Sequence, residues 1–224
     1  MQQKDKIGIY ALGLLILLGM GFFFAHKAVT QNNPEVASTA STASHIETQT
    51  IPPATTGILP GLQTGPLPWT ANIDNLRDRL ADIGLPALAQ EGTVLHIHQH
   101  LDISINGASV TIPAGIGINE DAGFISPIHV HDTTGIIHVE SPTVQTFTLG
   151  QFFDIWGVRL SPVCIGGYCA SESMSLRVYV NGKLYQGNPR DIELAAHQEI
   201  YIYYGASKDI PQTIPSTYQF PAGY

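Results

Sequence analysis

Histidines at alternate positions are where this sequence is best equipped for chemistry. The stretch LHIHQHLDISI carries His96, His98 and His100, and SPIHVHDTTGIIHVES carries His129, His131 and His138, with Glu140 two residues on. In an extended strand, side chains two apart share a face and stand about 6.5–7 Å apart along the chain. If residues 132–135 form a hairpin loop, His129 falls opposite His138 and His131 opposite Ile136. His129, His131, His138 and Glu140 then project from one side. Directly opposed residues have Cβ atoms about 4.5–5.5 Å apart, within reach of one ion bound at about 2.0–2.1 Å per nitrogen. The first histidine-rich strand adds one or two further ligands if it neighbours this hairpin.

Imidazole suits zinc, copper, nickel and iron. The two stretches contain no Met or Cys, which disfavours storage of Cu(I) on soft sulfur. Three or four histidines with a carboxylate fit Zn²⁺ or Cu²⁺ best. Asp132 is placed to orient a ligand by accepting a free imidazole N–H. Glu140 is a candidate ligand, a group that orients a ligand, or the general base beside a metal-bound water if the protein is an enzyme. The competing reading is a solvated sheet face, since Asp102, Ser104 and Asn106 continue the first stripe. The regular spacing in two separate stretches favours metal. Seven candidate donors, six His and Glu140, exceed the needs of one ion. His197, in ELAAHQEI, reads as a turn residue and His45 as a linker residue.

The elements that must position these side chains are mostly strands. The alternation in LHIHQHLDISI is followed by Asn106-Gly107, a type I′ turn signal, and a return through SVTIP. The other face of that hairpin offers Leu101, Ile103, Ile105, Val110 and Ile112 to a core. SLRVYV, Asn181-Gly182 and KLY make a third hairpin, and EIYIYYG a last strand, both rich in Tyr at half-buried sheet positions. NIDNLRDRLADIG spaces Ile73, Leu76, Leu80 and Ile83 as a helix, with Asn72 or Asp74 as cap. Thr148 with Gln151 forms a capping box ahead of a second helix that Gly157 ends. Together these predict an α+β fold of mainly antiparallel hairpins in a sheet or partly closed barrel with one or two short helices; an all-β sandwich is the alternative.

Residues 7–25 contain no charge and are long enough to span a bilayer as a helix. Lys4 and Lys6 precede them, so the positive-inside bias leaves the N-terminus in the cytoplasm and exports the remainder to the periplasm or cell surface. A cleaved signal peptide is the rival reading, and it gives export as well. The expected organisation is an anchor (1–28), a Pro/Thr/Ser-rich linker (29–68), a histidine-rich domain (69–205) and a surface tail (206–224). Cys164 and Cys169, the only cysteines, fit a local disulfide in an exported chain. From residue 29 onward there are 7 Lys and Arg against 17 Asp and Glu. That acidic balance argues against nucleic acid and anionic lipid surfaces as partners and for a cation. No partner protein is legible.

The blocks LHIHQHLDISING, VTIPAGIGI, SPIHVHDTTGIIHVESP, TLGQFFDIWGV and VYVNGK resemble a family of exported or membrane-anchored bacterial proteins of uncharacterised function. The resemblance covers residues 69–205 and implies that the histidine-rich strands form one unit; it implies no activity. Cupins and copper-zinc superoxide dismutases share parts of the pattern. HIHQH lacks the Glu at cupin spacing, and no bridging-His arrangement of the dismutase kind is recognisable, so both are analogies of chemistry only. Metal capture and handling, a metalloenzyme activating a bound water or O₂ species, and a structural module are the three functions left open. No Ser-His-Asp pattern, phosphate loop or nucleotide motif is present to name a substrate.

Overall fold

The computed structural model describes residues 58–224. The expected anchor, most of the linker and His45 lie outside the described residues. Among the described residues no helix is long and apolar enough to cross a membrane.

Helix α1 (Leu76–Asp82) precedes strands β1 (Leu95–Ile105), β2 (Ala108–Ser109), β3 (Ile118–Asn119), β4 (Phe124–Ile125), β5 (Ile128–His129) and β6 (Ile136–Ser141). Helix α2 (Leu149–Trp156) follows, then β7 (Cys164–Ile165), β8 (Tyr168–Cys169), β9 (Met174–Val180), β10 (Lys183–Leu184) and β11 (Glu199–Ala206). One open sheet dominates, in the order β10-β9-β11-β1-β6-β5, with β2 paired to β1. The fold is therefore α+β with mainly antiparallel pairing, neither closed into a barrel nor doubled into a sandwich. Within this sheet, among the described residues, one strand pairing is parallel: β1 beside β11, with His100 opposite Glu199 and Ile103 opposite Ile202.

Local signals place most elements. Asn106 and Gly107, and Asn181 and Gly182, have the positive φ values of a type I′ turn. The return after Asn106-Gly107 is only two residues long, shorter than the expected SVTIP strand, because β6 occupies the same edge of β1 from Leu95 to His100. Thr148 accepts from the Gln151 amide, Gln151 reciprocates to the Thr148 amide, and Gly157 closes α2 in the left-handed region. Neither Asn72 nor Asp74 caps α1; the cap is Asn75, without a side-chain bond. Asn72 instead donates to the Gly61 carbonyl.

One sheet face is the core. Leu101, Ile103, Ile137, Val139, Ile128, Ile200 and Ile202 are at most 2% exposed, in one cluster with Phe152, Phe153 and Trp156 of α2 and Leu76 and Leu80 of α1. Burying such a side chain contributes about 1.5–3 kcal/mol. Arg79 is buried in this layer, where its guanidinium donates to the carbonyls of Pro60, Asn72 and Ile155. It thereby ties down the residues before α1. The end of the expected linker is thus part of the domain: the Gln63 amide donates to Gly157 and the Arg159 amide to Gln63, and Leu67 packs on the core. Cys164 and Cys169 are joined in a disulfide across the β7–β8 hairpin.

The opposite face carries the alternate, polar set. The C-terminal segment, exposed or half-buried throughout residues 206–224, runs across this face. Ile210 and Ile214 pack on Tyr179, Tyr201 and Tyr203, and Tyr218 stacks on His100 with ring centroids 3.7 Å apart.

Candidate metal centre

The site is a row across three strands. His98 of β1, His138 of β6 and His129 of β5 stand opposite one another, and His96 stands opposite Glu140 one step along. The register His129 opposite His138 is the one the loop at 132–135 predicts. Because β1 is the next strand on the far side of β6, both histidine-rich stretches deliver their side chains to the same sheet face. Gly117 gives the row its floor, since a Cβ there would lie 2.6 Å from the Ile128 carbonyl oxygen and 3.1 Å from the His129 Cβ, at φ +78°.

Donor atoms converge closely. His96 Nε2 lies 3.1 Å from His98 Nε2 and 3.2 Å from Glu140 Oε1. His138 Nδ1 lies 3.1 Å from Glu140 Oε1, and His129 Nε2 lies 3.1 Å from His131 Nε2. Four ligands at about 2.05 Å around a tetrahedral ion are separated by about 3.3 Å. Among the described residues three groups have every donor within 4.8 Å of every other: His96, His98, His138 and Glu140; His129, His131, His138 and Glu140; and, apart from these, His100, Asp102 and Glu199. The His and Glu groups are therefore close enough to hold a metal.

The electrostatics favour the ligating form. Burial holds His129 and His138 down at about 3 and His98 at about 4, with neighbouring histidines adding to the effect. These rings are neutral at physiological pH and keep a lone pair for an ion. His129 donates from Nδ1 to the Ser126 carbonyl at 3.0 Å, which leaves Nε2 as the free acceptor and fixes the ring. Burial pushes the Glu140 carboxyl up to about 7, with the adjacent Glu91 contributing. The deep groups, His98, His129, His138 and Glu140, are at most 6% exposed. His96 and His131 form an open rim, with side chains 53% and 42% exposed.

His100 shares the strand face of His96 and His98 but joins a different donor group, with Asp102 and Glu199: its Nδ1 lies 2.8 Å from Glu199 Oε2 and its Nε2 3.0 Å from the Thr134 carbonyl. Burial opposes its charge, yet the hydrogen bond and charge of Glu199 outweigh that and raise its pKa. The cause is the parallel register, which sets Glu199 opposite His100. Asp132, expected to orient a ligand, hydrogen-bonds within the loop instead: its Oδ1 accepts from the Thr134 amide and hydroxyl. His197 is a turn residue, at φ +57°.

Glu91 was not legible. Its Oε1 lies 3.4 Å from His131 Nε2, and it reaches Glu140. It sits in the loop before β1, held there because Gly92 lies directly on the Ser141–Pro142 backbone of β6. No periodicity marks a loop carboxylate; its only sequence signal is proximity to HIHQH.

No family profile, curated protein or solved structure matches this chain.

Proposed function

We propose that this protein is a membrane-tethered, extracytoplasmic metal-binding protein that captures or handles Zn²⁺ or Cu²⁺ on its histidine face. The observation that carries the reading is the convergence of five imidazoles and Glu140 at ligand-to-ligand separations. The donor set is nitrogen-rich and free of sulfur, which supports zinc or cupric ions over softer cuprous ions. The tether rests on the uncharged stretch at 7–25, and export is consistent with the disulfide. The resemblance of its blocks to exported bacterial proteins belongs to this same proposal.

A second reading is a metalloenzyme. Glu140, with its carboxyl near 7 beside the proposed ligands, has the proton affinity of a general base at neutral pH. Nothing in the site selects a substrate.

The test is elemental analysis of the untagged full chain in detergent, with thermal unfolding before and after chelation. An ion that binds only the folded state stabilises it by about 2.7 kcal/mol at a hundredfold excess over Kd. The expected result is bound zinc or copper and a melting temperature that falls on chelation and recovers on adding metal back. A metal-free protein indifferent to both treatments would leave the structural-module reading.

A further inference from the structure

We propose that the histidine face holds two divalent ions at once, one on each side of β6, with His138 and Glu140 shared between them. The inference rests on the metal-binding reading above and specifies its stoichiometry.

Three observations carry it. The donors outnumber one ion's needs: five histidines and Glu140 converge, whereas a tetrahedral site takes four ligands. They also divide. His96 and His98 come from β1, His129 and His131 from the β5 stretch, and these strands flank β6 on opposite sides. Neighbouring strands are about 4.8 Å apart, so the two pairs spring from backbones about 9.6 Å apart with β6 midway. Each pair is closed to 3.1 Å internally, and the two pairs fall in different four-donor groups.

The third observation is that the common members are chemically able to be shared. An imidazole has two nitrogens on different edges and a carboxylate two oxygens. His138 Nδ1 and Glu140 Oε1 lie 3.1 Å apart on the His96 side, where Glu140 Oε1 is 3.2 Å from His96 Nε2. The His138 ring also neighbours both pairs, its centroid 4.5 Å from that of His98, 4.5 Å from that of His131 and 5.3 Å from that of His129. On that second side Glu91, 3.4 Å from His131, supplies further negative charge against the repulsion of two dications.

The exposed rim makes the test clean, because His96→Asn and His131→Asn each remove one private donor without opening the core. Native mass spectrometry of the full chain in detergent, titrated with Zn²⁺, should count two ions in the wild type and one in each variant. With Cu²⁺, the coupled wild-type pair should give less electron-paramagnetic-resonance signal than its copper content, and each variant should recover a full single-ion signal. One ion in the wild type, or two that neither variant reduces, overturns the shared pair and leaves the metal-binding reading intact. No ion at all overturns both.

Discussion

Changing His138 to Gln should strip the protein of metal, because His138 is the one histidine common to both four-donor groups. Loss of a group that merely orients a ligand costs 10–100-fold in affinity. Loss of a shared ligand should exceed that, so the dissociation constant should rise by at least about 100-fold, and the metal copurifying with the chain should fall below about a tenth of wild type. Competition against a chromophoric chelator measures the first and elemental analysis the second. Glutamine fills much of the space of the ring, which is 6% exposed, so the far-ultraviolet circular dichroism should be retained. Asp132→Ala is the matched control. Its carboxylate serves only the Thr134 turn, and metal content should be unchanged. Retention of metal by the His138 variant would place the ion elsewhere.

Acidification should unfold the metal-free domain well before the loaded one. His98, His129 and His138 are held at about 4, 3 and 3 in the folded state, against an ordinary 6.5 when unfolded. Below pH 6.5 the unfolded chain therefore binds protons that the folded chain refuses, and stability falls with pH. Glu140 works the other way: raised from 4.5 to about 7, it favours the folded state as pH falls through that window. His100, also raised, adds stability that is lost only as pH rises above 6.5. Three groups against one leave a net of two protons between pH 6.5 and 4.5. The metal-free domain therefore loses stability as the pH falls across that window. A bound ion offsets that loss, because it binds only the folded state. The acid-unfolding midpoint of the loaded protein should lie at lower pH than that of the metal-free protein, as read by circular dichroism. Coincident midpoints would mean that the buried histidines hold no ion.

Local chemistry in the sequence was a good guide to local structure. The pairing of His129 with His138 follows from a four-residue loop and period-two alternation, and the structure has that register. The capping box at Thr148 and the two Asn-Gly turns are short-range motifs, present as read. Long-range pairing was not legible. Nothing in EIYIYYG says that it will lie parallel to LHIHQHLDISI, about a hundred residues earlier, and that register alone sets His100 beside Glu199, apart from the row of His98, His138 and His129. The spacing of His96, His98 and His100 announces a shared face, which is correct, but a face is wider than a site. The same limit hid Glu91 and the path of the C-terminal segment, whose contacts come from loop packing without a periodic signature.

The aromatic segment crossing the polar face also acts as an internal ruler. The Tyr224 ring is centred 4.5 Å from the His98 ring, and Tyr179 and Tyr201 lie further along the sheet beside Tyr203. A paramagnetic cupric ion relaxes nearby protons with a steep dependence on distance, whereas a diamagnetic zinc ion only shifts them. Nuclear magnetic resonance spectra of the tyrosine rings should thus report which metal is present and how far along β1 it sits, with no label added to the molecule.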